Sequence, residues 1–187
     1  MKRERTIKIK YGQTILTNDP SMTAWGWAII MNGTVIDNGC IKTVPDYKKK
    51  RIRKSDDTLR RISDINSILL KIIEKYQVKF IVSEAPHGSQ NAQAAVMVGM
   101  VAGILQTLAD TLNIPIEWYS EMDSKKALLG KKSASKNETI QAIKKIYPSL
   151  VFKNIKYQDE AVADAMSVYY TACKLSPTLK MMLNVPH

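Results

Sequence analysis

The chain of 187 residues has only two cysteines, Cys40 and Cys173, and two histidines, His87 and His187, all far apart. No group of them has zinc-ligand spacing and no disulfide framework is indicated, so free thiols in a reducing cytosol are expected. Long hydrophobic runs are scarce as well. The longest, Ala92 to Leu105, contains Gln93 and falls short of the ~20 apolar residues that a bilayer-spanning helix needs. Met1 to Lys10 is basic but carries no apolar core of the secretory kind. These absences predict a soluble, cytoplasmic protein with no membrane partner. A second glycine-rich phosphate loop is missing too. That argues against sugar-kinase or actin-like ATPases, which also begin with an aspartate on a β-meander but in much longer chains. No serine–histidine arrangement offers covalent catalysis, and there are no repeats or low-complexity tracts.

What is abundant is positive charge. The balance of 28 Lys+Arg against 17 Asp+Glu leaves +11, an excess that points to a polyanionic partner, with a solvated lysine surface as the alternative. Length and ordinary globular composition support one domain over 1–187, with 1–11 and 176–187 as flexible ends.

Hydrophobic periodicity gives the element order. Thr14–Asn18 is β-prone and ends in the turn signal Asp19-Pro20-Ser21. Trp25–Met31 and Thr34–Thr43 flank Asn32-Gly33, a strong hairpin signal. Leu59, Ile62, Ile65, Leu69, Ile73 and Tyr76 recur at helical spacing, and Val78–Ser83 is a strand-length apolar run ending at Glu84. Asn91–Leu112 reads as a long helix and Ile114–Tyr119 as a strand. Ser135 and Glu138 form a capping-box pattern opening a helix that Pro148 stops, and Gln158–Cys173 is a last helix with a frayed tail after Ser176. The order β-β-β-α-β-α-β-α-α predicts an α/β protein with a mixed sheet and helices on its faces.

Three acidic positions stand out. Asp19 and Glu84 each end a strand, the edge where open α/β sheets carry their ligand crevice. On the last helix Glu160 and Asp164 are four residues apart and share a face, whereas Asp159 points substantially away. The small neighbours Ala161, Val162, Ala163 and Ala165 predict close packing and half-buried carboxylates. No Lys or Arg is interleaved regularly, so a divalent cation with oxygen ligands, Mg²⁺ or Mn²⁺, is the natural compensator. Taken singly each acid has an ordinary reading: a turn at Asp19, a solvated strand end at Glu84, a helix-dipole pair at Asp159 and Glu160.

Asp19-Pro20-Ser21-Met22-Thr23-Ala24-Trp25-Gly26-Trp27 resembles the first-strand signature of the RuvC-type Holliday-junction resolvases, an Asp-Pro-Gly followed by a Thr-Gly-aromatic-Gly-type second strand. Glu84 matches that family's glutamate, with Asn91, Ala95, Gly99 and Gly103 at similar spacings behind it. Lys125, Gly130, Ser133-Ala134 and Lys136 match a basic loop, and Ala163-Asp164-Ala165 the terminal Ala-Asp-Ala. The resemblance covers about residues 13–172. Ser21 replaces the usual glycine and Asn18 an apolar residue. Ala161 stands where the family places a fourth acid, three residues before the final Asp. The role passes here to Glu160, with Asp159 in reserve. Short length, lysine-rich composition and these departures point towards a phage-encoded member.

The resemblance implies an RNase H-like fold, a five-stranded mixed sheet with helices on both faces. It implies hydrolysis of DNA phosphodiesters at four-way or other branched junctions, leaving 5′-phosphate ends. Two divalent ions about 3.5–4 Å apart would serve that chemistry, with Asp19 bridging them, Glu84 on one, and Asp164 and Glu160 on the other. Lys125 and Lys136 resemble the family's functional lysines, and His87 lies where the family often stacks an aromatic on an unpaired base. The run 48–54, with Lys49, Arg51 and Arg53, suits phosphate contact. Helix 91–112 is apolar on nearly every side and must find cover. That cover is either a second copy, making an isologous homodimer, or residues 120–150. Two other functions stay open: an RNase H-type or flap nuclease on the same scaffold, and a junction-binding protein without catalysis.

Overall fold

The computed structural model describes residues 13–46, 52–88 and 91–183. The expectations for 1–11, for Lys49 and Arg51, and for the last four residues lie outside the described residues.

Strands β1 (Thr14–Asp19), β2 (Ala24–Met31) and β3 (Thr34–Lys42) form the opening meander. Its tight turn uses Asn32 and Gly33, with φ of 50° and 79°. Two successive left-handed residues are what a type I′ hairpin demands and what Asn-Gly adopts easily. Strands β4 (Phe80–Glu84) and β5 (Ile116–Tyr119) extend the sheet from the other side of β1. The order is β3-β2-β1-β4-β5, antiparallel within the meander and parallel from β1 through β5.

Among the described residues there are six helices: α1 (Lys54–Tyr76), α2 (Ala92–Thr111), α3 (Glu121–Leu129), α4 (Lys136–Ile146), α5 (Lys156–Leu175) and α6 (Pro177–Leu183). Alternation along the central strands sends side chains to opposite layers. Ile15, Phe80 and Val82 pack with Ile143 of α4 and with Val162 and Met166 of α5. Leu16 and Ile81 pack with Ile65 and Leu69 of α1 and with Val101 and Leu105 of α2. Full burial of each such side chain stabilises by roughly 1.5–3 kcal/mol. The five-stranded mixed sheet with helices on both faces is as the sequence implied.

Three expectations need correction. Residues 121–129 form a helix inside what reads as a basic loop. Ser120 Oγ accepts from Asp123 N, and Gly130 closes the other end at φ 72°. The caps are strong, but Met122, Leu128 and Leu129 make no apolar stripe, so periodicity gave no signal. Residues 177–183 form α6 and are not a frayed tail: Leu179 is fully buried and its N–H donates to Ser176 Oγ at 2.9 Å. Proline at the first helical position suits that start. Helix α2 reaches 20 residues and is long and apolar enough, by length and composition alone, to cross a membrane. Here Val101, Leu105, Leu108 and Ala109 pack into the core layer. Its first half is exposed, with open space around Gly99 and Gly103, so residues 120–150 do not cover it.

Candidate active site

Asp19 and Glu84 end adjacent parallel strands. Asn18 pairs with Ser83, so the next residue on each strand emerges at the same sheet edge. Helix α5 brings the third acid to that edge through two local features. Thr17 Oγ1 donates to the Ala165 carbonyl at 2.5 Å. Thr17 lies on the same strand face as Asp19, two residues on, and Ala165 follows Asp164. The second feature is Gly26, the cross-strand partner of Asp19. A Cβ there would lie 2.0 Å from the Ala161 carbonyl oxygen. The helix backbone rests directly on β2, a contact that only glycine permits.

The three carboxylates act on one another. Burial, then Glu84 and Asp164, raise Asp19 well above the ordinary aspartate value. Burial, then Asp164 and Glu121, push Glu84 up to about 7. Burial also raises Asp164, against the opposing pull of Lys136. Lys136, in the first turn of α4, donates to Asp164 Oδ2. Burial works against the Lys136 ammonium, but Asp164, Asp19 and Glu84 outweigh it and hold its pKa above the ordinary lysine value.

The remaining expected residues divide. Lys125 Nζ donates to Glu121 Oε1 at 2.6 Å, and its charge acts on Glu84 and Asp164. His87 is exposed, with Nδ1 3.9 Å from Glu84 Oε1. Arg53 is exposed and pairs with Asp56 at 2.8 Å. Glu160 is half-buried on α5 and is not among the charges that act most on the three carboxylates. Asp159 is buried and accepts from Lys153 N at 2.9 Å, tying down the turn before α5. Glu121, which the sequence reading passed over, does act on all three carboxylates. Its signal was indirect: it follows by two residues Tyr119, the cross-strand partner of Glu84.

Among the described residues, no three acids or histidines already enclose a space for an ion. The donor set nonetheless fits a hard divalent cation. It offers carboxylate oxygens from separate elements, carries mutual repulsion, and has a lysine ammonium supplying positive charge at Asp164. Mg²⁺ in particular takes one or two carboxylates and keeps several waters, so it does not need an all-protein cage. A small cavity of ≈ 40 Å³ lined by Asp19, Glu84, His87 and Val101 adjoins the acids.

A mixed five-stranded sheet in this order, with helices on both faces, is the ribonuclease H-like fold. The family model described as crossover junction endodeoxyribonuclease RuvC matches residues 15–172, and the chain belongs to that family of metal-dependent nucleases. A relative of that name from Rickettsia felis is 27% identical over 161 residues, covering 84% of this chain and 95% of its own. Among solved structures, the chain resembles Thermus thermophilus RuvC in complex with Holliday junction substrate. The TM-score is 0.68 at 20% identity, covering 86% of this chain and 93% of that one. It also resembles the yeast mitochondrial Holliday junction resolvase. That TM-score is 0.59 at 14% identity, covering 91% of this chain and 81% of the other. These structural likenesses show the shared fold.

Proposed function

We propose that this protein is a divalent-metal-dependent endonuclease that hydrolyses phosphodiesters at four-way or other branched DNA junctions, leaving 5′-phosphate ends. The observation that carries the reading is the convergence of Asp19, Glu84 and Asp164 on one sheet edge, with Lys136 drawn in among them. Two Mg²⁺ ions, with Mn²⁺ as a substitute, would supply an activated water and charge stabilisation at the leaving 3′-oxygen. Asp19 is acted on by both Glu84 and Asp164 and is the acid suited to serve both ions. Glu84 would then serve one and Asp164 the other. Lys136 and Lys125 hold the scissile phosphate and its developing charge. His87, exposed beside Glu84, stacks on an unpaired base. Arg53, with Lys49 and Arg51 before it in sequence, contacts backbone phosphate, which positions DNA without specifying its sequence.

The active form is a homodimer joined across α2. Val96 and Met100 are exposed there, and Gly99 and Gly103 leave room for a helix to approach closely. An isologous pair presents two active sites to the paired strands of a junction. As a DNA-processing enzyme it works in the cytoplasm.

The test is cleavage of a four-way junction, an RNA–DNA hybrid and plain duplex in Mg²⁺ and in Mn²⁺. Preferential junction cutting is expected, and cutting of the hybrid alone would overturn the reading. Nicking that persists unchanged in Asp19→Asn would remove the assigned site.

A further inference from the structure

We infer that Glu121 is the fourth carboxylate of the ion site, filling from α3 the place that Ala161 leaves without an oxygen on α5. The inference rests on the reading of the acidic edge as a metal-dependent nuclease site. Its position follows from backbone pairing. Glu84 lies opposite Tyr119 in the β4–β5 register, and Ala85 N donates to the Tyr119 carbonyl at 2.7 Å. The chain then turns, and Glu121 opens α3 at the sheet edge that also carries Asp19 and Glu84.

Among acids outside the trio, Glu121 is the one whose charge acts on Asp19, Glu84 and Asp164 alike. Glu160 and Asp159 share a helix with Asp164 yet do not figure among the leading charges on any of the three, and Asp159 is engaged by the Lys153 backbone. One turn before Asp164 stands Ala161, whose carbonyl is pressed against Gly26, so α5 brings no oxygen from a side chain there. Hard cations take oxygen ligands, and a second ion held by Asp164 would gain one from Glu121.

One further detail agrees. Lys125 sits on Glu121 as Lys136 sits on Asp164, so the two acids outside the β1–β4 pair each hold an ammonium that an ion would displace.

The competing role for Glu121 is to position Lys125, and metal binding without DNA separates the two. The full chain is titrated with Mn²⁺ and free Mn²⁺ is read by electron paramagnetic resonance. The side chain of Glu121 is 42% exposed, so Glu121→Gln should fold normally. It is expected to weaken Mn²⁺ binding by about tenfold or more, while Glu160→Gln binds as wild type. Adding Ala161→Asp to Glu121→Gln restores an oxygen one turn before Asp164 and is expected to recover affinity. Wild-type Mn²⁺ affinity in Glu121→Gln would overturn the inference. So would an equal loss in Lys125→Met, because Glu121 would then act through the lysine. Asp19→Asn tests the underlying reading separately: if it leaves Mn²⁺ binding intact, the edge is not the metal site at all.

Discussion

Glu84 concentrates the electrostatic strain of the site. Its carboxyl sits at about 7 in the folded protein against an ordinary 4.5, with burial the largest cause and Asp164 the next. A carboxyl raised by folding binds its proton more tightly in the native state. Its stabilising contribution is therefore present below about pH 4.5 and is lost as pH rises through about 7. That gap is worth about 3 kcal/mol at most, and Asp19 and Asp164 shift in the same direction. In chelator, the wild type should lose thermal stability between pH 5 and pH 8. Glu84→Gln should flatten that loss and be the more stable of the two at pH 8, by about 2 kcal/mol. Scanning calorimetry across this range checks it, and parallel slopes for the two proteins would contradict the proposed strain. Mg²⁺ at pH 8 should raise the wild-type melting temperature and leave that of Asp19→Asn nearly unmoved. Asp19→Asn should also lower junction cleavage by about a hundredfold or more while a gel-shift assay shows unchanged junction affinity.

At the scale of elements, the site depends on how closely α5 lies on the sheet. Gly26→Ala would put a methyl 2.0 Å from a helix carbonyl, and neither backbone can yield without moving Asp164. We expect a loss of about 3 kcal/mol in urea denaturation, with cleavage falling further than stability alone explains. Thr17→Val removes only the hydrogen bond to Ala165, so its expected cost is about 1 kcal/mol. This packing also explains what sequence could and could not disclose. The meander was legible because alternation and Asn32-Gly33 are local signals. So was α4, whose Ser135–Glu138 capping box closes as its spacing suggests. The alanines around Asp164 disclosed a tightly packed helix. The importance of Gly26 was hidden because its contact, Ala161, is 135 residues away. Glu121 was hidden for a similar reason: only the β4–β5 register brings it beside Glu84. Glu160 shares a helical face with Asp164, but a shared face is a local signal and does not by itself carry a side chain to charges on other elements.

At the scale of the whole molecule, net charge acts on DNA binding and on self-association in opposite senses. The chain carries +11, which attracts DNA and repels a second copy. In the proposed dimer, the outer face of α2 would have to supply enough apolar contact to overcome that repulsion. It has Val96 at 53% and Met100 at 37% exposure, beside a cavity of ≈ 510 Å³ shared with Leu59 of α1. Val96→Glu places a charge in the proposed interface while leaving the core untouched, so stability of the isolated chain should change by about 0.5 kcal/mol or less. Sedimentation should show wild-type dimer and variant monomer at micromolar concentration. The monomer should still nick a junction but should no longer make paired cuts. A variant that remains dimeric and cuts in pairs would place the interface elsewhere. Salt sharpens the test, because screening weakens attraction to phosphate and repulsion between like-charged copies together. Rising salt should loosen DNA binding in both proteins but tighten self-association in the wild type alone. If wild-type self-association weakened with salt instead, the contact would be an ionic one, and the apolar face of α2 would not be what joins the two copies.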